Sequence, residues 1–90
     1  MDWDKLKTFH HSAELGSLTA AADRLGISQS AVSRQIGALE DQIGVPLFQR
    51  HARGLLLTGP GKALFELTRE MAQTAASAER TLKDAREKVM

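Results

Sequence analysis

The stretch Leu18-Thr19-Ala20-Ala21-Ala22-Asp23-Arg24-Leu25, Gly26-Ile27, Ser28-Gln29-Ser30-Ala31-Val32-Ser33-Arg34-Gln35-Ile36-Gly37-Ala38-Leu39-Glu40-Asp41-Gln42-Ile43 holds two helical periods separated by a glycine. In the first, Leu18, Ala21, Ala22 and Leu25 fall at the i, i+3, i+4, i+7 spacing of one helical face, with Ser17 as N-cap and Gly26 as stop. In the second, Ser28 caps the start, Ile27 is placed to staple onto Val32, and Val32, Ile36, Leu39 and Ile43 line one face. Ser30, Ser33, Arg34, Gly37 and Asp41 share the opposite face, within an arc of about 100° at ~100° per residue. Gly44 ends this helix, with Val45 placed to fold back on Leu39, and Pro46 forbids its continuation.

Working outward, Leu6, Phe9, His10 and Ala13 repeat the helical spacing before Gly16, with Trp3 one turn earlier and Asp2 as cap. On the other side, Leu47-Phe48-Gln49-Arg50 and Leu55-Leu56-Leu57-Thr58 flank His51-Ala52-Arg53-Gly54, which predicts a β-hairpin with a four-residue loop. A half-buried strand alternates, so one of the three leucines belongs outside. From Thr58, a capping residue, a last helix is expected to run to about residue 88, with Pro60 in its first turn. At ~1.5 Å per residue it is about 45 Å long, more than so small a domain can cover. Leu64, Met71, Ala78 and Ala85 fall on one position of a seven-residue register, and Thr68, Ala75, Leu82 and Val89 on the other. Residues to about Leu67 are expected on the domain and those beyond on a partner helix.

Ninety residues, 42 % of them hydrophobic, allow one small core and no separate catalytic domain with a deep cleft. The chain has three Phe, one Trp, no Tyr and no Cys, so the core is aliphatic, and thiolate metal sites and disulfides are excluded. No apolar run approaches the ~20 residues of a membrane span, and the polar start Met1-Asp2-Trp3-Asp4-Lys5 is unlike a signal peptide. A cytoplasmic protein is expected. The net charge of +1 hides a distribution: residues 24–62 hold Arg24, Arg34, Arg50, Arg53 and Lys62 against only Glu40 and Asp41. The flanking segments are acidic or balanced, so a phosphate-facing surface belongs in the middle.

Two helices joined through Gly26-Ile27-Ser28 have the form of a helix-turn-helix, whose second helix enters the DNA major groove N-terminus first. The chemistry suits that role. Arg34 can bond guanine O6 and N7 bidentately and Gln29 can bond adenine, each discriminating by about 1–3 kcal/mol. The first turn adds hydroxyls and unpaired N–H groups for phosphates and base edges.

The ordered match through Leu18–Leu25, Ser28–Ile36, Leu39-Glu40, Gly44-Val45-Pro46-Leu47-Phe48-Gln49-Arg50 and Leu57-Thr58-x-x-Gly61 resembles the LysR-type transcriptional regulators, over residues 2 to about 65. The resemblance implies a mainly α fold: a winged helix-turn-helix of three helices and a two-stranded β-hairpin wing over 1–58. A linker helix for dimerisation follows over 59–90. It implies base contacts from Gln29, Ser30, Ser33 and Arg34, with Arg53 at the wing tip in the minor groove, and backbone contacts from Ser28, Gln35 and Arg50. It further implies a homodimer on a partly palindromic operator in double-stranded DNA, paired through Leu64, Met71, Ala75, Ala78, Leu82, Ala85 and Val89. No cofactor is expected. A small effector would act only through a C-terminal domain that this chain lacks, the family's chains being about three times longer. Two departures stand out. Ser30 takes a position where proline is common, and Gly37 one where a bulky, often basic residue is usual. Glycine there costs about 1 kcal/mol of helix stability against alanine, and it either lets DNA approach closely or simply deletes a phosphate contact.

Other readings of the same residues are weaker. Adjacent His10 and His11 cannot converge on one metal, and a partly buried His10 beside an exposed His11 is expected; neither they nor His51 have metal-ligand spacing. Gly59-Pro60-Gly61-Lys62 lacks the upstream glycine and the Ser or Thr of a phosphate loop, with Leu56 and Ala63 in their places. A protein-interaction module built on the long helix is the competing class. An enzyme has no nucleophile–base pair or metal set to support it.

Overall fold

A computed structural model describes residues 1–52 and 54–88. Its elements in chain order are α1 (Trp3–Leu15), α2 (Leu18–Leu25), α3 (Gln29–Ile43), β1 (Phe48–His51), β2 (Gly54–Leu57) and α4 (Gly59–Lys88). Asp2, Ser17 and Ser28 each cap a helix by accepting a hydrogen bond from a first-turn N–H, as expected of such residues. The turn between α2 and α3 is tight because Gly26 adopts φ 69° and the Ile27 N–H reaches back to the Ala22 carbonyl at 3.1 Å. That conformation and that bond together fix the angle at which α3 leaves α2.

Two apolar clusters hold the helices together. Leu6, Phe9, Leu39 and Leu47 form one, and Ala21, Ala22, Val32 and Ile36 the other. Phe48 packs on both, its ring 5.2 Å from that of Phe9. Phe48 therefore joins the hairpin to both clusters of the three-helix body. Inside the α1–α3 contact, Thr8 Oγ1 is hydrogen-bonded to the Gln35 side chain.

The hairpin is antiparallel, with Phe48 opposite Leu57 and His51 opposite Gly54. His51 and Gly54 thus belong to the paired strands and not to the four-residue loop expected. Of the three leucines, Leu56 is the outward one, 53 % exposed, while Leu55 and Leu57 face inward.

Several expected core positions lie outside. Trp3 (47 % exposed) and Ile43 (37 %) sit at helix ends, where coverage by other elements is incomplete. Ile27 and Val45 are likewise only partly covered, at 37 % and 38 %.

The start of α4 is anchored to the domain by backbone-level contacts. Thr58 Oγ1 donates to the Pro46 carbonyl and accepts from the Gly61 N–H, and the Thr58 N–H donates to the Leu47 carbonyl at 3.0 Å. Gly61 is buried so tightly that a Cβ there would stand 2.0 Å from the Leu47 oxygen. Further along, Leu64 and Phe65 pack on the first cluster, and the buried Thr68 hydroxyl donates to the Phe65 carbonyl. Thr68 Oγ1 therefore accepts from His10 Nδ1–H of α1, at 2.9 Å. After Thr68 every described residue of α4 is exposed, and the helix carries the molecule to a length of 54 Å. Leu67, expected on the domain, is 56 % exposed because it lies beside the docked face.

His11 departs from expectation too. It is half-buried, not exposed, and its Nδ1 has no hydrogen-bond partner among the described residues. Burial lowers its pKa below the ordinary 6.5, and His10 and Arg24 lower it further against the opposing pull of Glu14.

Two measurements follow from this packing. Gly61→Ala drives a methyl into the Leu47 carbonyl and is expected to destabilise the fold by about 3 kcal/mol, the upper range for overpacking, read by urea denaturation. For His11, the unfolded chain binds more protons than the folded one, so stability rises with pH. It is complete above about 6.5 and is lost as pH falls through that value toward the lowered folded pKa. Thermal midpoints should therefore fall between pH 7.5 and 5, and less steeply in His11→Phe; identical slopes would exclude His11 as the source.

Candidate nucleic-acid interface

The outer face of α3 and the hairpin form one continuous side of the molecule. Gln29, Ser30 and Arg34 are exposed there, and no hydrogen bond or ion pair engages their side chains among the described residues. A guanidinium that stands on a surface without an internal partner is available to an external anion or base edge. Ser28 is exposed as well, with its Oγ accepting from the Ala31 N–H at 3.1 Å, which leaves its hydroxyl proton for an outside acceptor.

Ser33 and Arg50 are brought together by the fold. Arg50, from β1, donates through Nη2 to Ser33 Oγ at 2.8 Å. This bond ties the wing to the recognition face across 17 residues of sequence, and no local spacing announces it. Arg53 lies outside the described residues. Gln35 stands apart from the others: its side-chain oxygen accepts from Thr8 Oγ1, a bond that locks α1 to α3. Helical rotation explains this, since Gln35 stands about 160° round from Gly37 at ~100° per residue.

Glu40 is a positioning residue that sequence reasoning passed over. Its Oε2 accepts from the Leu47 N–H at 2.6 Å and the Phe48 N–H at 3.3 Å, holding the entry to β1 against the end of α3. One signal existed: a carboxylate near a helix C-terminus opposes the macrodipole and so needs another partner. Arg24, one of the mid-chain cations, is paired with Glu14 at 2.9 Å, which takes it out of the phosphate-facing set. That leaves Arg34 and Arg50 as the described arginines on this side.

On the far end, the expected α4 seam is divided. Leu64 and Thr68 face their own domain, Val89 lies outside the described residues, and Met71, Ala75, Ala78, Leu82 and Ala85 are exposed. Trp3 and Leu67 join Met71, Ala75 and Ala78 along one apolar groove.

Three helices with a β-hairpin wing, followed by a projecting helix, define a winged helix-turn-helix. The model of the family "Bacterial regulatory helix-turn-helix protein, lysR family" matches residues 3–62, and the chain belongs to that family. The HTH-type transcriptional regulator TfdS of Cupriavidus pinatubonensis (strain JMP 134 / LMG 1197) is 51 % identical over 71 residues, which are 79 % of this chain and 24 % of the relative. Among solved structures, the CbnR DNA-binding domain in complex with DNA superposes with a TM-score of 0.77 at 39 % identity, covering 94 % of this chain and 98 % of that one. The BenM DNA-binding domain on catB site 1 DNA gives 0.83 at 30 % identity, covering 93 % of each chain. The chain spans about a quarter of the length of the curated relatives it matches.

Proposed function

We propose that this chain is the DNA-binding part of a LysR-type transcriptional regulator and reads a partly palindromic operator in duplex DNA as a homodimer. The observation that carries the reading is the unengaged outer face of α3. Gln29, Ser30 and Arg34 are exposed there, beside the Ser33–Arg50 pair. Likeness to domains solved on DNA supports it. In this reading α3 lies in the major groove, where Gln29, Ser30, Ser33 and Arg34 meet base edges. Ser28 and Arg50 hold phosphates, and Arg53 reaches the minor groove.

Pairing is proposed through the exposed stripe of α4, with Met71, Ala75, Ala78, Leu82 and Ala85 in the seam and Trp3 and Leu67 at its domain end. Its alanines make the seam thin, so association by this segment alone is weak. The protein acts as a regulator in the cytoplasm and not as an enzyme. Effector sensing is proposed for the greater length of the curated relatives, which this chain does not span. Among the described residues no helix is long and apolar enough to cross a membrane.

Arg34→Ala should cost about 1–3 kcal/mol on a selected duplex and relax preference at one base position. Equal loss on selected and random DNA would assign Arg34 to phosphate instead. Affinity should fall steeply with salt; a slope near zero would overturn the DNA reading and favour an interaction module. Leu82→Asp places a charge in the seam and is expected to yield monomers in sedimentation, whereas an intact dimer rules out this pairing.

A further inference from the structure

A glycine in the middle of a recognition helix needs a reason, because it weakens the helix that carries it. For the other glycines the fold supplies one. Gly16, Gly26, Gly44 and Gly54 have positive φ, Gly61 has no space for a Cβ, and Gly59 is the first residue of α4. Gly37 is different. It is helical, and a Cβ built on it meets nothing within 4 Å. Neither its backbone conformation nor packing within the chain asks for glycine, so any demand for it comes from outside.

Its position says from where. At ~100° per residue Gly37 stands about 40° round from Ser33 and about 60° from Arg34, in the centre of the outer face. With Ser33 and Arg50 it lines a groove of about 240 Å³ between α3 and β1. The one carboxylate in that groove, Glu40, already accepts from the Leu47 and Phe48 N–H groups. One turn beyond Gly37 stands exposed, acidic Asp41, which repels phosphate and confines the crossing to the turn before it. A helix with its side chains is about 10–12 Å across and the major groove about 12 Å wide, so deleting a side chain where the helix passes between the groove walls leaves its main chain open to close approach.

We infer that Gly37 is a close-approach position, over which the sugar–phosphate backbone of one DNA strand crosses α3 on bare main chain, with a phosphodiester beside Arg50. The inference rests on the DNA-binding reading and adds what sets the depth of α3 in the groove. That depth brings Gln29, Ser30, Ser33 and Arg34 within reach of base edges, so Gly37 determines specificity without touching a base.

The test uses Gly37→Ala and Gly37→Leu in the whole chain, with two DNAs: the duplex most enriched by the wild type from a random-sequence pool, and the unselected pool itself. Alanine should raise the thermal midpoint, because the helix gains a better former in open space, yet weaken binding to the enriched duplex about tenfold, comparable to losing one base contact. Leucine should weaken it further. Binding to the unselected pool, held by exposed cations, should change little. Higher stability with unchanged or tighter binding to the enriched duplex overturns the inference and leaves the DNA reading intact. A wild type that binds neither DNA overturns both.

Discussion

The interface depends on the close contact between α2 and α3. Ala21 and Ala22 are almost fully buried against Val32 and Ile36, and only side chains this small let two helices joined by so short a turn approach without voids. The Gly26 cap fixes the angle between them and the apolar contact fixes their rotation. Rotation matters most, because turning α3 by one residue would bury Arg34 or Ser33 and present Gln35 instead. The wing inherits the same reference frame, since Phe48 packs on both clusters while Glu40 and Arg50 tie β1 to the end and the outer face of α3.

The long helix joins two functions through one stretch of backbone. Up to Thr68 it belongs to the domain, held by Thr58, the buried Gly61 and the His10–Thr68 hydrogen bond. Beyond Thr68 every described residue of the helix is exposed. Its direction is therefore set by rigid contacts near its start, and in the proposed dimer that direction would fix how far apart two recognition helices stand. Half-sites one helical turn apart, about 34 Å, demand such stiffness. His11 lies beside this junction, where burial lowers its pKa.

Much of this was legible in the chain. The caps Asp2, Ser17 and Ser28, the stops Gly16, Gly26 and Gly44, and the periods of α2 and α3 follow from local chemistry, and local chemistry governs helix ends. The outer face of α3 was legible for the same reason, since periodicity alone separates Arg34 and Ser33 from Val32 and Ile36. Less so were Trp3, Ile43 and Leu67: each sits on or beside an apolar face, and periodicity does not say where along its length the face runs out of partner.

By itself, then, the sequence determined which segments are helical, where they stop, which face of α3 looks out, and that the last helix outruns its domain. These are properties of neighbours a few residues apart. Tertiary structure alone decided that His51 pairs with Gly54, that Gln35 turns to Thr8, that Glu40 serves the wing, and that Arg50 meets Ser33. It also divided α4 at Thr68 into a docked half and a free half. Each of those outcomes depends on distances between elements, and a pattern along one element carries no information about what stands opposite it.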